Sequence, residues 1–147
     1  MTHSSASKID RIAPPAGNVF DASCSARHAL ELIAGKWPML IISALAEKPM
    51  RNGDLMRRIG GISQKVLTQT LRELERNGLV IRVDRHTVPL HVEYRLSEVG
   101  RSLSDTLVVL DRWAERNFPA LDAACERYDN ANVMFSEPSS RNQVVLA

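Results

Sequence analysis

The spacing of apolar residues changes twice along this chain, and this restricts the fold more than any other feature. Residues 27–77 carry apolar residues three and four positions apart, as amphipathic helices do. Residues 79–83 and 92–96 are instead rich in β-branched and aromatic residues, as strands are, and the helical spacing returns after Ser97. The sequence therefore predicts a mainly α fold with one small β-hairpin, followed by a long last helix.

Local signals give approximate bounds for these elements. Pro38 suits the first turn of a helix that is apolar nearly all round, so we expect that helix to be central and buried. Ser63 and Ser97 are N-cap residues, and Gly78 follows the end of a helix. Residues 84–91 are too long for a tight turn and should form an extended hairpin tip. The predicted helices cover residues 27–34, 39–46, 54–59 and 64–77, and a last stretch after Ser97.

Length and composition favour one globular domain. The chain has 147 residues, of which 44% are hydrophobic and 24% charged, close to the averages of such domains. We expect a flexible arm over residues 1–22, a domain over residues 23–128 and a loose tail over residues 129–147. Pro119 should kink or interrupt the last helix.

The compartment is predicted from what the sequence lacks. Two cysteines are too few for a disulfide framework or a zinc–thiolate cluster. No apolar segment approaches the about 20 residues of a membrane helix, and the N-terminal segment does not resemble a signal peptide. We therefore expect a cytoplasmic protein that does not associate with membranes.

Positive charge is concentrated in the middle of the chain. Residues 48–86 hold nine basic and four acidic groups, although the formal net charge of the whole chain is only +2. A local excess of this kind is typical of a surface that binds nucleic acid, although it also occurs on ordinary solvated surfaces.

One predicted helix has the two faces that a DNA-recognition helix needs. Its apolar side would anchor it, and its polar side carries amide and cationic donors that can pair with bases in the major groove. The alternative is an amphipathic surface helix whose polar face is merely solvated. The residues expected to contact bases are Gln64, Lys65, Thr68, Gln69 and Arg72.

A second set of cationic residues is expected to contact the DNA backbone. Arginines on the preceding short helix would cross the phosphates, and those near the hairpin tip would reach phosphates or the minor groove. The alternative for these residues is a solvated loop or linker. The set is Lys36, Arg51, Arg57, Arg58, Arg76, Arg82, Arg85 and His86.

Three long motifs resemble the HxlR-type transcriptional regulators, relatives of the MarR group. They are CSARHALELIAGKW at residues 24–37, GISQKVLTQTLRELERNGLV at 61–80 and VEYRLSEVGRSL at 92–103. The resemblance covers about residues 24–114. It departs at Asn52, where the family usually has an aromatic residue. The resemblance implies a homodimeric winged helix-turn-helix protein that dimerises through its terminal helices and binds a double-stranded, palindrome-like operator.

The apolar pattern of the last helix also favours a homodimer, independently of the family resemblance. Its apolar stripe is wider than one small lobe can cover, and uncovered patches of this kind mark interfaces. The alternative is that the helix packs back on its own domain. The predicted interface residues are Leu103, Leu107, Leu110, Trp113 and Ala114.

The two cysteines suggest redox sensing. Cys24 precedes the first helix, with Arg27 and His28 in the next turn, and helix amides and cations both favour a thiolate. It also matches the cysteine at the head of the family motif, which responds to oxidants or electrophiles in several relatives. The alternative is a half-buried structural thiol. Cys125 is a candidate to pair with Cys24 of the other subunit.

No catalytic motif and no convergent set of nucleophile, acid and base is present, so we expect no enzyme, cofactor or metal. His86, His91 and Glu93 could meet across the hairpin but lack a further ligand. The sequence predicts a DNA-binding repressor that is released through Cys24 chemistry or by a small-molecule inducer. The rival hypothesis is a winged-helix protein–protein adaptor without DNA binding.

Overall fold

The computed structural model describes residues 17–135, in which it contains five helices and a two-stranded sheet. The predicted order of helices, hairpin and long helix is confirmed, and most bounds shift by one to three residues. The elements are α1 (Ser25–Ile33), α2 (Lys36–Glu47), α3 (Asn52–Arg58), α4 (Gln64–Arg76), β1 (Val80–Asp84), β2 (Val92–Leu96) and α5 (Glu98–Phe135).

Helix α2 is the centre of the core. It contacts α1, α3, α4 and β2. Ile41 and Ile42 are fully buried, and Leu45 is nearly so. Full burial of one such side chain contributes about 1.5–3 kcal/mol, so this helix anchors the elements around it, as its apolar sequence predicts.

Helix α4 is set in place by local signals at both ends. The Ser63 hydroxyl accepts a hydrogen bond from the Val66 amide at 3.2 Å, which confirms the predicted N-cap. Gly78 has φ +75° just after the helix, a left-handed conformation that glycine adopts without a steric cost. Between these ends Leu67, Leu71 and Leu74 are buried, so the opposite side of the helix faces outward.

The hairpin is antiparallel, with Val80 opposite Leu96 and Asp84 opposite Val92. Met50 adds a short third pairing on the far side of β2. Its amide donates to the Tyr94 carbonyl at 3.0 Å, and its carbonyl accepts from the Tyr94 amide at 2.8 Å. This pairing joins the segment before α3 to the hairpin.

Helix α5 differs from the sequence prediction in two respects. It begins after Ser97, whose hydroxyl accepts the Gly100 amide at 3.0 Å, as predicted. It then continues through Pro119 to Phe135, so the predicted interruption is wrong. Proline removes one hydrogen bond of the helix, and the bonds of the neighbouring turns carry the helix past that position. Residues 129–135 are therefore helical rather than loose.

The chain divides into two compact units, with the boundary between Asp105 and Thr106 inside α5. Residues 1–16 and 136–147 lie outside the described residues, so most of the predicted arm and the end of the predicted tail stay predictions. Within residues 17–135, no single helix is long and apolar enough to cross a membrane. Helices α1 and α2 meet that test only as a pair bent by 79°.

Candidate nucleic-acid interface

The outer face of α4 presents the side chains that the sequence assigns to base contacts. Gln64, Lys65, Gln69 and Arg72 are exposed, and Thr68 is half-buried. Thr70, between them in the chain, is instead turned inward, and its hydroxyl donates to the Val66 carbonyl at 2.7 Å. The face is thus a continuous row of polar donors above an apolar base.

The cations on this face differ from the arginines of α3 and the hairpin in having no ion pair with a carboxylate of the described residues. None of the ion pairs found within residues 17–135 involves Lys65, Arg72 or Arg76. Their charge is therefore not compensated by a carboxylate of the described chain. An anion that approaches this face meets three cationic groups that need not first break an ion pair.

The arginines of α3 are engaged with carboxylates. The Arg58 guanidinium makes three hydrogen bonds to Glu47, one from Nη2 at 2.5 Å and one from Nε to each carboxylate oxygen at 3.1 Å, and Arg57 donates to Asp54 at 2.6 Å. Hydrogen bonding from Arg58 lowers the pKa of Glu47. The pKa of Asp54 is lowered first by the Arg51 amide and then by Arg57.

Arg51 is fixed at the entrance of α3. Its guanidinium contacts Nδ1 of His91 on the segment that leads into β2. The other ring nitrogen of His91 lies 3.4 Å from the Glu93 carboxylate. His91 and Glu93 thus share a face, as the strand period predicts, and the ring connects the start of α3 with the hairpin.

The hairpin tip holds its cations near carboxylates. Arg82 lies 3.6 Å from Asp84, and Arg85 lies 4.0 Å from Glu93. His86 takes φ +49°, and its amide donates to Asp84 at 2.9 Å. The sequence pattern predicts DNA contacts for these cations but does not predict their carboxylate partners. For Arg82 the sequence did offer a signal, because Asp84 follows two positions later on the same face of β1.

Lys36 stands apart from these groups at the start of α2. Its ammonium lies over the Trp37 ring, 4.2 Å from the ring centroid, and the side chain remains exposed. A cation–π contact of this exposed kind contributes about 0.5–1 kcal/mol.

Cys24 occupies the N-cap position of α1, as the sequence suggests. Its sulfur lies 3.4 Å from the Asn18 amide nitrogen. Hydrogen bonds from the backbone amides of Ala26 and Asn18 lower the pKa of the thiol. The thiol is half-buried, which combines a favoured thiolate with access to solvent. Cys125 is an exposed residue of α5.

The predicted interface residues of α5 differ in exposure. Leu107 is buried and Leu103 half-buried, whereas Leu110 and Trp113 are each 47% exposed and Ala114 is exposed. Two large apolar side chains of unit 2 therefore keep about half of their surface in solvent.

In the part of the chain that the structure describes, no group of three His, Cys, Asp or Glu residues could hold a metal ion.

Helices α3 and α4 with the following hairpin define a winged helix-turn-helix protein, in which α4 is the recognition helix and the hairpin is the wing. The HxlR-like helix-turn-helix family model matches residues 32–122, and the chain belongs to this family. This confirms the family resemblance drawn from the three motifs. The family and the relatives described next are transcriptional regulators, not enzymes.

Similar proteins support the same assignment. The chain is 41% identical over 103 residues to the HTH-type transcriptional regulator YtfH of Escherichia coli (strain K12), covering 70% of this chain and 82% of that relative. The structure of ytfH from Salmonella typhimurium has a TM-score of 0.69 and 40% identity, over 75% of this chain and 98% of that one. The redox regulator HypR in its oxidized form has a TM-score of 0.60 and 36% identity, over 64% and 97% of the two chains.

Proposed function

We propose that this transcriptional regulator is a homodimer that binds a specific double-stranded DNA operator through α4 and the wing. The observation that carries the proposal is the outer face of α4. Lys65, Arg72 and Arg76 have no ion-pair partner within residues 17–135, and buried leucines hold the helix from behind. A helix with this construction suits the major groove, where its donors meet the acceptors of base edges.

The residues of α4 take different roles in this proposal. Arg72 and Lys65 pair with guanine, and Gln64 and Gln69 with adenine, because these side chains match the acceptors and donors of those bases. Thr68 contacts a neighbouring base edge. Arg76, in the last turn, contacts a phosphate and fixes the register without reading sequence.

The paired arginines around α4 act on the DNA backbone. Arg57 and Arg58 exchange Asp54 and Glu47 for phosphate oxygens when DNA arrives. Arg82 and Arg85 do the same at the wing, and Lys36, Arg51 and His86 complete the contact set. Because each exchange replaces an existing pair, these contacts add less affinity than the uncompensated cations of α4 do.

The dimer places two copies of α4 about 34 Å apart, in successive major grooves of the operator. Leu110 and Trp113, each half-exposed, supply the anchors of the interface, and Leu103, Leu107 and Ala114 complete it. Large apolar side chains left in solvent on one helix are the usual mark of such a contact.

We infer that the protein is a cytoplasmic repressor and that Cys24 controls its release. Backbone amides lower the pKa of this thiol, and thiolates react with oxidants and electrophiles. The similar protein HypR is a redox regulator. Cys125 of one subunit is the candidate partner of Cys24 of the other. A small-molecule inducer is the alternative signal.

Selection of bound duplexes from a random pool tests the proposal. The reduced protein should enrich one palindrome-like sequence, and its affinity should fall steeply as salt increases, because phosphate contacts release counterions. The selection is repeated after treatment with a thiol oxidant, where the enriched sequence should be lost. No enrichment, with affinity for DNA independent of salt, would favour the adaptor hypothesis.

A further inference from the structure

His91 connects the segment before α3 to the wing. It directly precedes β2, and its side chain is 25% exposed. Its Nδ1 atom contacts the Arg51 guanidinium, and its Nε2 atom lies 3.4 Å from the Glu93 carboxylate. One ring nitrogen thus meets a cation and the other an anion. The DNA contacts assigned above give this histidine no part.

The two contacts of the His91 ring together define its protonation state. A guanidinium can only donate hydrogen bonds, so Nδ1 must be free of a proton in order to accept from Arg51. An ionised carboxylate can only accept, so the hydrogen must lie on Nε2, which faces Glu93. Only the neutral ring with its hydrogen on Nε2 makes both contacts. The arrangement in the structure is therefore that of an uncharged His91.

A second proton on the ring is incompatible with the Arg51 contact. The imidazolium ring is a donor at both nitrogens, so Nδ1 no longer has a lone pair to offer. Two positive charges would then lie in direct contact, and they repel each other. At Nε2 the effect is opposite, because a hydrogen bond from a charged ring to Glu93 is stronger than one from a neutral ring. Protonated His91 thus keeps Glu93 and drives Arg51 away.

Two more arginines lie near Glu93 on the hairpin. Arg85 donates its amide to the His91 carbonyl at 3.0 Å, and its guanidinium lies 4.0 Å from the Glu93 carboxylate. Arg95 shares a face of β2 with Glu93 by the strand period. When His91 is charged, Glu93 has a closer cationic partner than Arg85, so the Arg85 guanidinium is also held less firmly.

Arg51 has a further tie at the start of α3, but it involves the main chain. The Arg51 amide donates to Asp54 at 3.2 Å, whereas the carboxylate of Asp54 takes its guanidinium partner from Arg57. None of the ion pairs found within residues 17–135 includes Arg51. Once it leaves His91, the Arg51 guanidinium is therefore available to an anion from outside the described chain.

We propose that His91 is a positioning residue that responds to protons: the neutral ring holds the Arg51 guanidinium against the wing, and the protonated ring releases it. The effect on DNA rests on the proposed function, in which Arg51 and Arg85 contact phosphates. Release of these groups favours the phosphate contacts, so operator binding takes up a proton at His91. By linkage, acid strengthens operator binding, and one proton accounts for at most about tenfold in affinity per pH unit.

A side-chain NMR titration of the full chain without DNA tests the release of Arg51. The Nε–Hε signal of Arg51 and the ring signals of His91 are followed between about pH 8 and about pH 5, where histidines change charge. The signals should shift together, with one midpoint. In His91→Gln the Arg51 signal should not titrate, because the glutamine carbonyl is an acceptor at every pH. An Arg51 signal that does not follow His91 in the wild type would overturn the proposal.

The effect on DNA is measured as operator affinity at about pH 8 and about pH 6, at constant salt. The wild type should bind severalfold more tightly at the lower pH. His91→Gln should lose most of this gain, and so should Arg51→Gln, which carries the comparison if the first variant does not fold. His28→Gln is the matched control and should keep the full gain, because His28 is an exposed histidine of α1 outside the assigned contacts. Since His86 is present in every variant, its own contribution to the pH dependence cancels.

The two measurements separate failure of the proposal from failure of the proposed function. A gain in affinity that survives undiminished in the folded His91→Gln protein would overturn the proposal, even if the Arg51 signal titrates. If no operator is bound at any pH, the proposed function fails, while the titration without DNA still decides whether protonated His91 releases Arg51.

Discussion

The main-chain carbonyl of Leu79 packs directly against Gly100, in the space that a β-carbon at position 100 would occupy. This contact brings the start of α5 against the residue that leads into β1. Only glycine allows the approach without a shift of the backbone, because the neighbouring group is a carbonyl and cannot move aside as a flexible side chain could.

We therefore expect Gly100→Ala to lower the free energy of unfolding by about 1–3 kcal/mol, as overpacking does. Urea denaturation followed by circular dichroism measures the change. Gly60→Ala is the control, because a β-carbon there meets no atom within 4 Å. Equal effects of the two substitutions would show that the contact with Leu79 has no special importance.

The ion pair between Glu47 and Arg58 should make stability depend on pH. Arg58 lowers the pKa of Glu47 in the folded protein, so the pair stabilises the fold above the unfolded pKa of about 4.3. This contribution is lost as the pH falls through the folded pKa. Glu47→Gln should thus cost about 1 kcal/mol or less at pH 7, since both side chains are partly exposed.

Denaturation at a series of pH values tests this. The difference between wild type and Glu47→Gln should shrink towards zero in acid. Glu73→Gln serves as the control, because the Glu73 carboxylate takes part in none of the ion pairs found within residues 17–135. A difference that stays constant from neutral to acidic pH would refute the assignment.

Two arginines of α4 should respond differently to truncation. Arg72→Ala should cost about 1–3 kcal/mol of specific affinity and relax the preference for one guanine. Arg76→Ala should weaken binding to operator and random DNA alike and reduce the salt slope by about one. Fluorescence anisotropy with both duplexes measures this. Equal losses on the two duplexes for Arg72→Ala would show a phosphate contact instead.

Cys24→Ser should bind the operator like the wild type and resist release by an oxidant or a quinone. Because amide hydrogen bonds lower the pKa of the thiol, the thiolate should form at lower pH than in the unfolded chain. The rate of Cys24 alkylation should therefore reach its midpoint at lower pH in the native protein than in urea. Normal release of the Cys24→Ser protein would exclude thiol sensing at this residue.

Leu110→Lys should shift the protein from dimer to monomer by placing a charge in the proposed interface. Sedimentation velocity measures the change over a range of concentrations. Arg112→Glu is the control, since Arg112 projects from the opposite side of α5 and is exposed. A dimer that survives Leu110→Lys would mean that the stripe packs within its own chain.

The sequence was most informative where structure depends on neighbouring residues. Ser63 and Gly78 fixed α4 because capping and left-handed glycine act within one turn. Pro119 does not interrupt α5, because the cost of a proline is local whereas the helix around it extends to Phe135.

Contacts between distant residues could not be predicted in this way. Glu47 and Arg58 are 11 residues apart, and Arg51 and His91 are 40 apart. Nothing in the local pattern distinguishes these two pairs from free charges, so the partners of Arg58 and Arg51 were not predicted. The positions of the α4 cations were easier to predict, because helical spacing alone places them on one face.

A single hydroxyl joins the end of α4 to the start of α5. Ser97 Oγ donates to the Gly78 carbonyl at 2.5 Å and accepts the Gly100 amide at 3.0 Å. The first turn of α5 is therefore held beside the residue that follows α4 by one side chain, in addition to the chain connection through the hairpin. Removal of this hydroxyl would therefore release the Gly78 carbonyl and the Gly100 amide together, at the two helix termini that the side chain now connects.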